Sequence, residues 1–232
     1  MPKEPCFKIP ENTVMEGDAL ETLKKFPDES IDMVMTDPPY GINKAEWDVF
    51  DPKILDEIKR VLKNGCALFM WFSQYRIGYL QKEISDRFNL KNIIVEQKKN
   101  MVVTTWDKEK LQIQWEPIFY AIKGKPARIE ITKRKFETKT AAGDVWATVT
   151  PQSNFKGDLR KQHPCQKSVS ICKRALGLQS DPGDLILDCY CGSGTVLVAC
   201  KEFNRRYIGI ENNPEYVAMA ERRLKNTQGS LF

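Results

Sequence analysis

The chain has 232 residues, 41% of them hydrophobic, which suits one α/β domain with a small insertion better than two full domains. No apolar run approaches the ~18 residues of a membrane span, and the opening MPKEPCFKIPENTV lacks a signal peptide's apolar stretch, so a cytoplasmic protein is expected. The formal net charge is only +5, and seven cysteines without a CxxC pair, beside the single His163, argue against both a disulfide framework and a closed zinc site.

Apolar and β-branched runs alternate with helical patterns, the order expected of an α/β sheet with crossover helices. Strands are predicted at 13–15, 31–36, 66–72, 92–96, 117–122, 185–189 and 207–210. The second of them, IDMVMT, runs directly into Asp37-Pro38-Pro39-Tyr40-Gly41. Two consecutive prolines cannot continue a sheet ladder, so the chain must leave the sheet there. Lacking N–H groups, the prolines offer carbonyl oxygens, Asp37 adds a carboxylate and Tyr40 an aromatic face. Acceptors beside a stacking platform suit a planar group bearing an NH2.

Next, Ile54, Leu55, Ile58, Val61 and Leu62 share one helical face, with Asn64-Gly65 as the expected stop. Trp71 and Phe72 end the following strand, where they either wall a pocket or, more commonly, join the core. Segment 98–110, KKNMVVTTWDKEK, begins with Lys98 and is one candidate for contacting nucleic acid. Residues 123–162 break the rhythm: they are polar, rich in Lys and Thr, and hold ten Lys/Arg against four acids, which exceeds the surplus of the whole chain. This stretch is read as an insertion of short strands or loops whose Lys133, Arg134, Lys135 and Arg160 contact phosphates. Phe136, Trp146 and Phe155 lie among them, as contacts to the same phosphate-bearing partner or, somewhat more readily, as buried anchors. Helices are expected again around Val169, Cys172, Ala175 and Leu176, and after Asn213-Pro214, a good cap with proline in the first turn.

Between those helices stands a second motif, Leu185-Ile186-Leu187-Asp188 followed by Cys189-Tyr190-Cys191-Gly192-Ser193-Gly194-Thr195 and the apolar VLVAC. A strand, a Gly-rich turn and a helix N-terminus bring backbone N–H groups close to a ligand. Glu211 closes the next strand, where it can bind both hydroxyls of a ribose. The dinucleotide fingerprint GxGxxG is absent, since Leu197 stands three after Gly194. A nucleoside-bearing cofactor is therefore expected rather than a dinucleotide.

Together these segments resemble the amino-methyltransferases that act on nucleic acids, specifically their permuted β group. DPPY matches that family's catalytic motif and DCYCGSGT its cofactor loop, usually DPFxGSGT. Here DPPY precedes the Gly loop, with His163-Pro164-Cys165-Gln166-Lys167 between them, similar to the family's HPTQKP. Gly17-Asp18-Ala19-Leu20 and Glu116-Pro117-Ile118-Phe119-Tyr120 also fit the pattern. Three positions depart from it: Cys165 for Thr, Ser168 for Pro and Cys189 for Pro.

The resemblance implies a doubly wound, seven-stranded, Rossmann-like and circularly permuted S-adenosylmethionine-dependent fold. Residues 1–122 and 163–232 would form the catalytic and cofactor domain, and 123–162 an inserted target-recognition region. It also implies Asp37, Pro38, Pro39 and Tyr40 as catalytic residues. The cofactor would meet Asp18, Ala19, Cys165, Gln166, Lys167, Asp188, Cys191, Gly192, Ser193, Gly194, Thr195, Glu211 and Asn212, with no metal. His163 is expected to orient neighbours rather than act as a base. The implied reaction is methylation of adenine N6 in double-stranded DNA, on a base flipped from the helix. Cytosine N4 uses the same geometry, but Asp at position 37 favours adenine. RNA or protein-glutamine methylation, and a catalytically silent DNA-binding partner, are further alternatives. A homodimer and a cognate restriction endonuclease are possible partners.

Overall fold

The computed structural model describes residues 7–42, 48–99, 111, 113–127, 143–149 and 167–229. Among these residues, eight strands form one mixed sheet, in the order β1-β8-β7-β2-β3-β5-β4-β6. These are β1 (Thr13–Glu16), β2 (Ile31–Thr36), β3 (Leu62–Trp71), β4 (Asn89–Lys98), β5 (Trp115–Ile122), β6 (Val145–Thr148), β7 (Leu185–Asp188) and β8 (Arg206–Glu211). β5 alone runs antiparallel to its neighbours β3 and β4; every other pairing is parallel.

Among the described residues, six α-helices cover the sheet on two sides. They are α1 (Ala19–Leu23), α2 (Lys53–Val61), α3 (Ile77–Ser85), α4 (Val169–Gln179), α5 (Thr195–Glu202) and α6 (Pro214–Asn226). Alternation along the strands separates the two cores. Met33, Met35, Ala67, Phe69 and Ile186 point toward α4, α5 and α6. Val34, Leu68, Met70, Leu187 and Ile208 point toward α1, α2 and α3. With both faces covered, the central strand IDMVMT is buried at all six positions, which is why it reads as a continuous apolar run. No helix among the described residues is long and apolar enough to cross a membrane.

All seven predicted strands are present, and the sheet has one more than the seven expected. The addition, β6, comes from inside the stretch read as an insertion, where it pairs with β4 at Val95–Lys98. Its alternating VWAT pattern is short, but it turns Trp146 onto Phe69 and into the core, 2% exposed. Trp146 is thus a core anchor rather than a DNA contact. A second difference concerns Asn64-Gly65. The helix ends at Val61, and these two residues form an irregularity within β3, where pairing with β2 shifts between Leu62 and Ala67. Gly65 has φ +81°, and a Cβ there would meet Ala127 at 2.3 Å; its N–H donates to the Lys123 carbonyl at 2.7 Å. The glycine serves a close backbone crossing instead of a helix stop.

The chain order creates a switch point. From β2 the connections proceed toward β3, while from β7 they proceed to β8 on the other side. β2 and β7 are parallel neighbours, so their carboxyl ends open onto one crevice, where ligands bind in open α/β sheets.

Candidate active site

Both motifs singled out in the sequence emerge at that crevice. Asp37 follows the last residue of β2, and Cys189 follows the last residue of β7, although 152 positions separate them. Buried Thr36 joins the two: its hydroxyl accepts from the Cys189 N–H at 3.2 Å and bonds the Asp188 carboxyl. Burial pushes Asp188 up to about 7, against the lowering effect of the Tyr190 N–H and the Thr36 hydroxyl.

The turn 37–42 is shaped by two side chains that sequence reasoning missed. Buried Asp48 accepts the N–H groups of Tyr40, Gly41 and Ile42 at 2.8, 2.9 and 2.9 Å. Arg76 donates to the carbonyls of Tyr40 and Gly41 at 2.8 and 3.1 Å. Donors and acceptors of a turn that cannot join the sheet are thus satisfied from both directions. Phe72 packs under Tyr40 with ring centroids 5.3 Å apart, and Phe50 packs on Phe72 at 5.1 Å. Phe72 and Trp71 are core residues, as their strand-end position suggests, and Phe72 also supports the Tyr40 ring.

A charged cluster lies against this motif. The Tyr40 hydroxyl donates to Asp37 Oδ1 at 2.6 Å. Lys167 Nζ sits 3.0 Å from Tyr40 Oη, 3.2 Å from Asp37 Oδ2 and 2.8 Å from Glu116 Oε2. Lys98 pairs with the other oxygen of Glu116 at 2.9 Å. Beneath them, buried Glu96 accepts from Trp71 Nε1 at 2.7 Å. Burial alone would lower Lys167, but Asp37 and Glu116 raise it well above the usual lysine range. Burial would raise Glu116, yet Lys167 and Lys98 hold it at about 2. Burial and the neighbouring Asp37 push the Tyr40 phenol well above its usual value, so it remains a donor. Lys98, expected to contact DNA, sits in this cluster with its side chain 24% exposed. Lys167, expected at the cofactor, lies against the catalytic motif. Glu116 was legible only as part of a matching segment, with no role.

On the cofactor side, Gly194 has φ +78° and precedes α5; a Cβ there would approach Ala220 of α6 at 2.9 Å. The close turn leaves the first N–H groups of α5 pointing out of the helix end beside β7. Glu211 ends β8, and its oxygens accept from the Gly192 and Asn213 N–H groups, each at 2.9 Å. The Gly17 N–H donates to its backbone carbonyl at 2.9 Å, which brings the end of β1 alongside. Asp18 is exposed there and caps α1 through the Glu21 N–H at 2.9 Å, with small Ala19 buried behind it. Asn212 is exposed. Beyond the ends of β1 and β8 stand the carboxylates of Asp18 and Glu211, and beyond β7 the helix N–H groups, a set that fits a nucleoside with an amino-acid tail.

Of the expected cofactor residues, Ala19, Asp188, Cys191, Gly192, Ser193, Gly194 and Thr195 are buried. Arg223 of α6 donates to the Ser193 carbonyl and hydroxyl at 2.6 and 2.9 Å and to the Thr195 hydroxyl at 3.1 Å. Cys165, Gln166, His163, Lys133, Arg134, Lys135, Arg160, Phe136, Phe155 and segment 100–110 lie outside the described residues. Among the described residues, no group of three or more His, Cys, Asp or Glu could hold a metal ion. Burial pushes the thiols of Cys172, Cys189, Cys191 and Cys200 up, so they pack as small apolar groups.

A family model for N6- and N4-type DNA methylases matches residues 31–222. The DNA adenine methyltransferase YhdJ of Escherichia coli (strain K12) is 30% identical over 243 residues, spanning 91% of this chain and 82% of that protein. The M1.HpyAVI–SAM complex has a similar structure, with a TM-score of 0.71 and 25% identity over 91% of this chain and 98% of that one. The PvuII DNA methyltransferase, cytosine-N4-specific, is similar in fold, with a TM-score of 0.75 and 21% identity over 96% of this chain and 89% of that one.

Proposed function

The chain belongs to the DNA methylase family of N6- and N4-type enzymes, and on that footing we propose that it methylates adenine N6 in double-stranded DNA. The cofactor is S-adenosylmethionine, which supplies an electrophilic sulfonium methyl. The observation that carries the reading is the meeting of Asp37–Tyr40 and the 188–195 turn at the ends of adjacent strands β2 and β7, joined by Thr36.

The N6 lone pair is delocalised into the adenine ring and is a poor nucleophile. Asp37 and the Pro38 carbonyl accept its two hydrogens, which lets the nitrogen pyramidalise and direct its lone pair toward the cofactor side. Asp37 can take this bond while keeping Tyr40 and Lys167, because an ionised carboxylate offers about four acceptor sites. Orientation of this kind is worth roughly 7–11 kcal/mol in favourable cases. Flipping the base costs about a few kcal/mol of unstacking, offset by the Tyr40 ring that Phe72 supports. The excess proton leaves N6 through the Asp37 carboxylate to solvent.

In this reading Asp18 and Ala19 meet the cofactor's adenine, and Glu211 with Asn212 its ribose. The 191–195 turn meets the methionine part through backbone N–H groups, since Arg223 engages the Ser193 and Thr195 hydroxyls. Cys165 and Gln166 are assigned by resemblance alone, and Lys167 moves from the cofactor to the catalytic motif. The basic stretch within 123–162 is the proposed DNA surface. A homodimer and a cognate restriction endonuclease extend the reading; sedimentation of the purified chain tests the first.

Nucleoside mass spectrometry of DNA methylated by the purified chain tests the function, with N6-methyladenine as the expected product. N4-methylcytosine as the only product would overturn the base assignment and spare the mechanism. Methyl incorporation into RNA or protein, with none into DNA, would overturn the function.

A further inference from the structure

We infer that Glu116 is a positioning residue for methyl transfer, holding the Lys167 ammonium where it grips Asp37 and Tyr40 together. This rests on the DNA-methylation reading of the same site. Four elements meet in the arrangement. Asp37 and Tyr40 follow β2, Lys167 precedes α4, Glu116 stands on β5 and Lys98 ends β4. The contacts run in series from Lys98 to Glu116 at 2.9 Å, on to Lys167 at 2.8 Å, and then to Tyr40 Oη and Asp37 Oδ2.

Of the three oxygens around Lys167 Nζ, that of Glu116 is nearest, at 2.8 Å against 3.0 Å for Tyr40 Oη and 3.2 Å for Asp37 Oδ2. A lysine carries four flexible methylenes, and its ammonium must lose several rotamers to stay at one point. Its Nζ lies over the Tyr40 and Trp71 rings at 5.7 and 6.0 Å, a setting that favours a cation but does not fix it along the cleft. Glu116 supplies the fixed end: its backbone pairs with Glu96 of β4, β3 holds β5 from Ile118 onward, and Lys98 occupies its second oxygen. Asp37, by contrast, lies in a turn outside the sheet and must present one oxygen to an amino group at a defined angle. Two donors on that carboxylate, Tyr40 and Lys167, set its rotation. The Lys167 side chain is less exposed than those of Asp37 and Glu116, at 13%, which slows exchange of its bonds with water, and the pairing keeps it charged.

The test uses the full chain and the variants Glu116→Gln, Glu116→Asp, Lys167→Met and the double Glu116→Gln/Lys167→Met. Side-chain 15N NMR of the ligand-free protein at neutral pH should show a slowly exchanging Lys167 ammonium that disappears in Glu116→Gln and survives in Glu116→Asp. Methyl incorporation into DNA should fall roughly 10²-fold in kcat for Glu116→Gln. KM for DNA, and cofactor affinity by calorimetry, should stay within a few-fold. The double variant should be no slower than Lys167→Met alone, because the two act in series. Should Glu116→Gln unfold the chain, adding Lys98→Met removes one charge of each sign and restores the balance for the same measurements. Additive losses in kcat, a loss carried mainly by cofactor affinity, or an unchanged ammonium signal in Glu116→Gln would each overturn the inference. An unaltered chain that methylates no DNA would refute the function assigned above, while the NMR arm still decides whether Glu116 holds Lys167.

Discussion

Asp37 begins the turn after β2 and Glu211 ends β8, with β7 between them, so substitutions at the two should separate chemistry from binding. Asp37→Ala should abolish methyl transfer and leave S-adenosylmethionine affinity within a few-fold, whereas Glu211→Ala should weaken affinity most. Calorimetry on both variants checks this; a large affinity loss confined to Asp37→Ala would contradict the assignment. A second expectation concerns pH. Burial pushes Asp188 up to about 7, while an unfolded aspartate titrates near 3.9. Between those values the folded chain keeps a proton that the unfolded chain has released. The group's contribution to stability is therefore full below about pH 4 and is lost as pH rises through about 7. Glu116, held at about 2, works in the opposite sense: its contribution is present above about pH 4 and is lost as pH falls toward 2. Asp188→Asn should flatten the fall in melting temperature on the alkaline side of that window, measured calorimetrically from about pH 5 to 8. These residues differ in how legible they were. Asp37 and Asp188 stand in short motifs whose neighbours announce them. Glu116, Lys98 and Asp48 do not, because Glu116 meets a partner 51 positions away and Asp48 acts on a turn seven positions back. A carboxylate beside a strand or in a polar loop looks the same in sequence whether it is solvated or not.

At the level of elements, strands buried on both faces were the clearest part of the sequence. IDMVMT and LILD are continuous apolar runs because helices cover both sides of the central sheet. β6 was not located, since four residues alternating exposed and buried within a Lys- and Thr-rich stretch carry little periodic signal. Its role is nonetheless checkable. Trp146 packs on Phe69, donates to the Gly143 carbonyl at 2.8 Å, and lies under the Arg174 guanidinium at 4.9 Å. Trp146→Ala should cost about 3–5 kcal/mol in chemical denaturation. The salt dependence of DNA binding should be untouched, which is the result that separates a core anchor from a DNA contact. The Asn64-Gly65 pair misled for a related reason. Asn-Gly favours a left-handed backbone, and that conformation serves a strand irregularity as well as a helix end.

Across the whole molecule, charge is the property that composition alone makes specific. The surplus in 123–162 sits on a chain that is otherwise close to neutral. Neutralising Lys133, Arg134 and Lys135 together should weaken DNA binding and flatten its log–log salt slope by roughly 0.9 per lost phosphate contact. If both are unchanged in titrations across salt, the DNA surface lies elsewhere. The sheet order has a different consequence. β1 pairs with β8 and packs against α6, so the first described strand and the last described helix are neighbours in space. A single peptide linker could close the chain into a ring. Once closed, the molecule has no privileged beginning: what specifies the site is which strand lies beside which, and covalent succession only threads them. A ring reopened within 128–142 would read with the Gly loop ahead of DPPY, yet would place Asp37 and Asp188 at the same two strand ends. Such a rearranged chain should bind S-adenosylmethionine with its affinity preserved within a few-fold, so the two gene orders amount to two transcripts of one surface.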